Sequence, residues 1–419
     1  MSCPPALDPA VWSQAGALLV EPPAAERAQP FRGWSVSRLI DALSACRPPA
    51  QPDPGLCLAL LEHPWSAAES AQLREAADHL RRRLIGEPVS YVVNRNLNVS
   101  NHCVKHCSFC AFRRDPQQSG AYWLSLEELE RRAVEAREAG ATELCLQGGL
   151  NPAAQLQGLQ LTYAETLLRR LRAVAPALHL HAFSPQELLF FAEQDGLPLQ
   201  TVLDRLLQAG LGSVPGTAAE VLSERVRQRL CPEKLSARAW VATVLQVHRA
   251  GLASTATLMA GHLEQPADLA AHLLTLVRIQ ADARQRGLRG FTEFVLLPFV
   301  AEAAPAALRA RVGRDQPDLA AMLRLTALAR LMLGAWIPAH QPSWVKLGLH
   351  GATEALRWGC NDLGGTLMEE HITTMAGARG GTAQTPHALR AAARRLGRPA
   401  RQRTTLYATV CGAPVAAFS

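Results

Sequence analysis

The sequence predicts an α/β protein of the (β/α)8 TIM-barrel type, with an N-terminal helical extension and a short C-terminal segment. Eight short strand-like segments alternate with helices over about 270 residues, which is the size of such a barrel. Polar and glycine-rich residues follow these segments, where barrels collect functional groups. Of the 419 residues, 48% are hydrophobic, which supports a large core and excludes wholesale disorder. A doubly wound open sheet is the alternative, because periodicity does not show closure.

The chain divides into four predicted regions. Residues 1–33 are rich in Pro and Ala without a clear period, so we expect a loosely ordered leader. Residues 34–86 show helical apolar spacing and predict a small helical unit. Residues 87–370 form the predicted barrel, and residues 371–419 a C-terminal helical and basic segment. The helices predicted in the second region lie near residues 35–43, 56–63 and 69–84.

Short patterns predict where strands and helices begin and end. The predicted strands are residues 96–100, 143–148, 178–183, 211–215, 254–259, 292–298, 337–341 and 360–363. Between them, Ser/Thr-x-x-Glu patterns predict helix N-termini, because the hydroxyl accepts a hydrogen bond from an orphan N–H and the glutamate bonds back to the cap. These patterns begin at Ser125, Thr162, Ser184 and Thr217. Gly140 and Gly251 stand where left-handed C-terminal caps are expected.

The net charge of +7 does not predict a nucleic-acid partner. Only three lysines occur, and the arginines are spread among glutamates on predicted helices, which is typical of a solvated surface. No apolar run approaches the roughly 20 residues that a membrane-spanning helix needs. The first twelve residues place no basic residue ahead of an apolar stretch, so they do not predict a secretory signal. We therefore expect a cytoplasmic protein with neither a nucleic-acid nor a membrane partner.

Three of the ten cysteines lie within eight residues. Cys103, Cys107 and Cys110 form a C-x3-C-x2-C motif, and the other seven are scattered singly. Three thiolates on one loop can hold three irons of a cubane [4Fe–4S] cluster and leave the fourth iron without a protein ligand. An open metal position is typical of a catalytic site. Two alternatives are a structural zinc completed by His102 or His106, and unrelated free thiols on a loop.

The motif, with Phe109 directly before its last cysteine, resembles that of the radical S-adenosylmethionine (SAM) superfamily. Gln147, Gly148 and Gly149 end the second predicted strand, where that superfamily carries a glycine pair. The resemblance implies one cluster with SAM at the open iron, and a 5′-deoxyadenosyl radical formed by its reductive cleavage. It also implies that Phe109 packs near the adenine and that the glycine backbone takes the methionine amino group. An ordinary βα turn is the alternative for the glycines, and Ser184 is either a ribose contact or only a helix cap.

Further motifs narrow the resemblance. They occupy residues 98–101, 110–114, 147–152, 179–185, 215–220, 291–294, 342–348 and 361–370. Together they are similar to the deazaflavin and futalosine-pathway enzymes, and most similar to the family of tyrosine–diaminouracil transferases that serve FO and coenzyme F-420 biosynthesis. This implies that L-tyrosine is cleaved between Cα and Cβ and that its 4-hydroxybenzyl fragment joins 5-amino-6-(D-ribitylamino)uracil. Since the chain has one cysteine motif, we expect an external reductant and a second radical SAM FO synthase subunit as partners.

Two other functions remain open. Aminofutalosine synthase or dehypoxanthine futalosine cyclase of menaquinone biosynthesis would use the same superfamily chemistry. From a different class, an iron–sulfur electron carrier or a zinc-stabilised binding protein would explain the cysteines alone. An electron carrier normally uses four cysteine ligands and does not need a polar barrel mouth.

Six further residues are candidate substrate-binding or catalytic groups: His179, His181, Thr257, Glu293, Asn361 and Asp362. The two histidines are two apart on a strand and share a face, so they could bind the uracil or move a proton. Hydrogen-bonded core histidines are the alternative. The threonine and the glutamate lie on later strands and could face the ligand, while the last two could take a substrate amine or ribityl hydroxyls.

Overall fold

A computed structural model of the chain describes residues 2–410, and these residues form a parallel α/β fold. Met1 and residues 411–419, which include Cys411 and the end of the predicted C-terminal segment, lie outside the described residues. The α-helices are Pro9–Leu18 (α1), Val36–Ala45 (α2), Pro54–Glu62 (α3), Ala67–Ile85 (α4), Leu126–Glu138 (α5), Gln160–Val174 (α6), Pro185–Asp195 (α7), Leu199–Ala209 (α8), Glu224–Leu230 (α9), Ala237–Arg249 (α10), Pro266–Gln285 (α11), Ala306–Val312 (α12), Leu319–Leu333 (α13), Trp344–Ala355 (α14) and Pro386–Arg394 (α15). Two 3-10 helices span Ala25–Phe31 and Leu356–Trp358.

Seven parallel strands form a sheet that curls into a half-barrel. The strands of the chain are Val89–Val92 (β1), Asn94–Asn98 (β2), Glu143–Gln147 (β3), His179–Ala182 (β4), Ser213–Val214 (β5), Ala253–Ala260 (β6), Phe291–Pro298 (β7), Ala339–Pro342 (β8), Asp362–Gly365 (β9) and Ala400–Gln402 (β10). Strands β2 to β8 pair in chain order, and every pair is parallel. This confirms the predicted barrel-type α/β fold.

The eighth predicted strand lies in a different sheet from the one expected. It is β9, which pairs with β1 in a three-stranded sheet of order β10-β1-β9. Asn361 links the two sheets, because its N–H donates to His340 O at 3.1 Å and its carbonyl accepts from Ser90 N at 2.9 Å. The N–H of Asn96 donates to Leu367 O at 2.8 Å. The second sheet therefore bridges the first and last strands of the half-barrel, and two of its three strands, β1 and β10, were not predicted from the sequence.

The prediction that residues 1–33 are loosely ordered is wrong for the described part. Helix α1 begins at an Asp8 cap and buries Trp12 and Ala15 against α10. Arg238 of α10 donates to Trp12 O at 2.9 Å and lies 4.3 Å from the centre of its ring. The helix has only ten residues and buries just three of them, so its packed face does not produce a recognisable apolar period. By contrast, the three helices predicted in residues 34–86 are confirmed as α2, α3 and α4.

Two of the four predicted helix starts are confirmed. Ser125 and Ser184 cap α5 and α7 through their hydroxyls. The helix start predicted at Thr162 is wrong, because α6 begins at Gln160. There the Asp195 carboxylate accepts hydrogen bonds from the first two backbone N–H groups of the helix, at 2.9 and 2.8 Å. The helix start predicted at Thr217 is also wrong, because two of the three residues after it have positive φ, which an α-helix does not allow. Among residues 2–410, no helix is both long and apolar enough to cross a membrane.

Candidate active site

One cavity of about 410 Å³ opens at the carboxyl ends of the barrel strands. Eleven of the fourteen predicted site residues line it: Cys103, Cys107, Phe109, Cys110, Gln147, Gly148, Gly149, His181, Ser184, Thr257 and Glu293. The structure does not bring His179, Asn361 or Asp362 into that lining. The loop after β2 carries the three cysteines, which we call the cysteine end of the cavity. The opposite end carries polar side chains from the barrel strands and one arginine from the C-terminal segment, all buried except the half-buried Asn96. We call these residues the polar floor: Asn96, Glu143, His181, Thr257, Glu293 and Arg403.

Gly149 allows the cysteine loop to lie directly against the end of β3. Its N–H donates to Ser100 O at 2.7 Å, and a Cβ at this position would lie 2.1 Å from His102 O. At Gly148 a Cβ would lie 3.3 Å from Ser100 O, a closer approach than most Cβ atoms make but not a severe clash. Neither glycine has a positive φ. Glycine is therefore required at position 149 by close backbone contact and not by turn geometry.

A buried cation lies beside the cysteine motif. The Lys234 ammonium bonds to Glu220 at 2.5 Å and lies 5.3 Å from the centre of the Phe109 ring. Burial raises the pKa of the Cys107 thiol to about 12, and the nearby ammonium opposes that rise. Burial alone would raise the pKa of Glu220, but Lys234 outweighs it and lowers the pKa. The ion pair places positive charge where the thiolates of a bound cluster would add negative charge.

Glu187 connects helix α7 to the glycine pair. The Ser184 hydroxyl donates to Glu187 Oε2 at 2.7 Å in a capping box, and Gly148 N donates to Glu187 Oε1 at 3.2 Å. Burial raises the pKa of Glu187 to about 7, although these hydrogen bonds oppose the rise. Ser184 is therefore a helix cap that also lines the cavity. The sequence analysis recognised the glutamate only as the partner of that cap and missed its place in the cavity wall.

The two predicted histidines share one partner. The Ser213 hydroxyl lies 2.7 Å from His179 Nε2 and 2.7 Å from His181 Nδ1, which confirms that both rings lie on one side of β4. Burial lowers the pKa of His181 to about 4 and also lowers the pKa of His179. Both rings are therefore neutral near pH 7. Only His181 lines the cavity, and His179 does not.

An arginine from the C-terminal segment completes the polar floor. Arg403 is 3% exposed and bonds to Asp362 at 2.5 and 3.1 Å. It lies 3.4 Å from Glu293 Oε2, and burial raises the pKa of Glu293 to about 7. Asp362 is thus committed to an internal ion pair. Asn361 is committed as well, since its side-chain oxygen accepts from Arg330 at 2.8 Å and from a backbone N–H at 2.9 Å.

Sequence analysis missed several cavity residues besides Glu187. They are Asn96, Glu143, Glu220, Lys234, Lys346 and Arg403. Lys346 lines the cavity, and no other residue between 2 and 410 forms a hydrogen bond or an ion pair with its ammonium group. Burial lowers the pKa of this lysine to about 8. A polar residue at an inward position of a barrel strand was the available signal for Asn96 and Glu143, since such positions are usually filled by branched apolar side chains.

The three motif cysteines fit a cubane cluster better than a single zinc ion. All nine described cysteines are free. In a cubane each cysteine binds a different iron, so the sulfurs do not converge on one point. Within the described residues, no three His, Cys, Asp or Glu side chains are arranged to hold one metal ion. The His106 ring faces Asp115 and Glu233 at 3.6 and 3.5 Å and does not line the cavity.

Two family models cover most of the chain. Residues 97–276 match the radical SAM superfamily, and residues 288–411 match the CofH/MqnC C-terminal region. A 5-amino-6-(D-ribitylamino)uracil–L-tyrosine 4-hydroxyphenyl transferase from Gloeobacter violaceus is 60% identical over 339 residues, which are 81% of this chain and 86% of that protein. The protein of the same name from Synechocystis sp. is 55% identical over 359 residues, 85% of this chain and 90% of that protein. The chain belongs to this transferase family.

Solved structures agree with this transferase family at the level of the fold. Methylornithine synthase superposes with a TM-score of 0.65 at 16% identity, covering 87% of this chain and 97% of its own. The hydrogenase maturase HydG from Carboxydothermus hydrogenoformans gives a TM-score of 0.66 at 15% identity, covering 95% and 86%. As a radical SAM transferase, the chain belongs to a superfamily that implies a [4Fe–4S] cluster and SAM.

Proposed function

We propose that the chain transfers the 4-hydroxybenzyl fragment of L-tyrosine to carbon 5 of 5-amino-6-(D-ribitylamino)uracil, with loss of 2-iminoacetate, in the biosynthesis of FO and coenzyme F-420. The observation that carries the proposal is a single cavity with three free thiols at one end and buried polar groups at the other. A relative named for this reaction is 60% identical to the chain, which supports the two substrates.

We assign one cluster to Cys103, Cys107 and Cys110, with SAM at the iron that they leave open. Reductive cleavage of the SAM sulfonium to a hydrogen-abstracting 5′-deoxyadenosyl radical is the chemistry that these groups supply when bound. The chain's own contribution begins with the Lys234–Glu220 pair, whose ammonium favours thiolate over thiol at Cys107. This assignment needs the thiols to deprotonate, and a nearby buried cation lowers the cost of doing so.

Other cavity residues have roles in binding and in excluding water. Gly148, Gly149 and Glu187 form the wall beside the cysteines, and we assign them to the polar end of SAM. Lys346, near the start of α14, offers an ammonium without a partner in residues 2–410, which suits the carboxylate of an amino-acid substrate. We also assign to the barrel wall the role of keeping bulk water from reactive species, which would limit side reactions.

The reaction needs partners beyond this chain. We propose an external one-electron reductant and a second radical SAM FO synthase subunit that closes the deazaflavin ring, because the chain carries one cysteine motif. We also propose a cytoplasmic location. Nine free cysteines are consistent with a compartment that keeps thiols reduced.

An anaerobic assay tests the proposed reaction. The reconstituted protein is incubated with dithionite, SAM, L-tyrosine and 5-amino-6-(D-ribitylamino)uracil, and 5′-deoxyadenosine and the hydroxybenzyl adduct are measured by mass spectrometry. We expect the adduct only when both substrates are present, and none when L-phenylalanine replaces tyrosine. Adduct-free SAM cleavage that needs a futalosine-pathway substrate would favour the menaquinone enzymes instead. A chain that holds iron but never cleaves SAM would favour an electron carrier.

A further inference from the structure

Two buried oxygen atoms of the polar floor accept no hydrogen bond from the described part of the chain. They are Asn96 Oδ1 and Glu293 Oε2. Both side chains line the cavity, and Glu293 is only 8% exposed. Arg403 forms an ion pair with Glu293 Oε2 at 3.4 Å and the Tyr407 hydroxyl faces the same carboxyl group, but neither contact has hydrogen-bond geometry at Oε2. Because buried acceptors are normally satisfied, these two atoms indicate a place for a ligand that brings hydrogen-bond donors.

The polar floor lies far from the cysteine end. Glu293 stands five residues before Pro298, the last residue of β7, and this is about 17 Å at a rise of ~3.3 Å per residue. Val295 and Leu297 also line the cavity and lie between these two levels on the same strand. Along β7 the cavity wall therefore changes from apolar side chains to the polar Glu293 at depth, so a ligand that reaches the floor needs polar groups at the end directed away from the cysteines.

We propose that the polar floor is a polyol subsite that binds the ribityl chain of the pyrimidine substrate, with Asn96 and Glu293 accepting hydrogen bonds from its hydroxyls. This inference rests on the proposed function. With SAM at the open iron occupying the cysteine end, carbon 5 of the uracil must meet the tyrosine fragment part-way down the cavity, between SAM and the floor. The ribityl chain is attached through the neighbouring carbon and is the part of the substrate long enough, and rich enough in O–H donors, to reach the floor.

Arg403 acts in this subsite as a positioning residue. Its backbone N–H donates to Tyr91 O at 2.8 Å, and its guanidinium is tied to Asp362. The side chain is thereby fixed at the polar floor, where it forms an ion pair with the carboxylate of Glu293. The C-terminal segment thus contributes directly to the subsite, although it lies more than a hundred residues after β7.

Calorimetric titration distinguishes binding of the ribityl chain from binding of the pyrimidine ring. The reconstituted protein with SAM is titrated anaerobically with 5-amino-6-(D-ribitylamino)uracil and, separately, with 5,6-diaminouracil, which lacks the ribityl chain. We expect N96A and E293Q to weaken binding of the ribityl compound by on the order of tenfold, and binding of 5,6-diaminouracil by less than about twofold. E130Q, the same chemical change on the outer helix α5, is the matched control, and thermal melting checks that each variant is folded.

Each outcome decides the proposal. Equal losses of affinity for both pyrimidines would show that the floor binds the pyrimidine ring. Unchanged binding of the ribityl compound in both variants would show that the floor is not part of the site. If E293Q fails to fold, N96A alone still gives the comparison. Failure of the wild-type protein to bind either pyrimidine would overturn the proposed function together with the subsite. Selective loss for the ribityl compound supports both.

Discussion

The two ends of the cavity are built in different ways. At the cysteine end, backbone groups are packed so closely that Gly149 has no room for a side chain, and the three motif cysteines lie within one short loop. At the polar floor, side chains from β2, β3, β4, β6, β7 and the C-terminal segment meet inside the barrel. Both ends nevertheless hold a carboxyl group, Glu187 or Glu293, whose pKa burial raises to about 7. Local packing thus governs one end, and long-range charge pairing governs the other.

The largest expected effect is at the cysteine end. C107A should abolish cluster retention and lower 5′-deoxyadenosine formation by more than about a thousandfold, because the residue is one of three ligands that act as a unit. C145A is the matched control, since Cys145 also lines the cavity but lies outside the motif on β3. Iron content per chain and SAM cleavage are the measurements. Similar iron loss in both variants would mean that any cavity thiol contributes, and the assignment to the motif would be wrong.

At the polar floor, R403M should mainly reduce stability. The change leaves Asp362, which is fully buried, without its cation, and breaking such a pair costs about 3–5 kcal/mol of the free energy of unfolding. R401M, on the exposed side of β10, should change it by less than about 0.5 kcal/mol. Urea unfolding of the two variants gives the comparison. A loss at position 403 as small as that at 401 would show that the floor does not depend on this ion pair.

What the sequence could predict follows the same division. The cysteine motif and the glycine pair are contiguous patterns, so Cys103, Gly148 and their neighbours were found before the fold was known. The helix caps at Ser125 and Ser184 were equally local. The parallel fold followed from the alternation of strand and helix patterns, which also requires no knowledge of long-range contacts.

The polar floor could not be predicted in the same way. Arg403 and Asn96 are separated by about three hundred residues, and only the second sheet brings them together. Asn361 and Asp362 were expected at the carboxyl end of the last strand, but β9 begins at Asp362, and the buried cations Arg330 and Arg403 hold their side chains away from the cavity. The partner of a buried charge depends on tertiary packing, which strand patterns do not reveal.

Close packing at the cysteine end gives the third prediction. G149A should lower SAM cleavage by about a hundredfold, because its Cβ would overlap His102 O and displace the loop that carries the cysteines, and a shift of about 1 Å can have that effect. G148A should cost less than about fivefold, since its Cβ would meet Ser100 O at 3.3 Å and a small adjustment relieves the contact. Cleavage rates normalised to iron content are compared. Equal effects would indicate a general need for flexibility and not a specific contact.

The smallest expected effect is on the pH dependence of the free energy of unfolding, which compares the two buried carboxyl groups. The folded-state pKa of Glu293 is about 7, above the roughly 4.5 of an exposed glutamate. Folding therefore binds a proton between these values, and the stability that this group contributes at low pH is lost as the pH rises through 7. For one such carboxyl the loss between pH 5 and 8 is about 2 kcal/mol. The free energy of unfolding of E293Q should therefore fall by about 2 kcal/mol less than that of the wild type over this pH range.

Glu187 sharpens this last test because its pKa is also about 7. If burial is the common cause, E187Q should reduce the fall of the free energy of unfolding over the same pH range by a similar amount, although the residue lies at the other end of the cavity. If Arg403 instead keeps Glu293 ionised, E293Q should leave the pH dependence unchanged while E187Q still reduces it. Urea unfolding of the wild type and both variants at several pH values between 5 and 8 distinguishes these cases. The outcome therefore decides whether burial or the neighbouring guanidinium controls the charge at the polar floor.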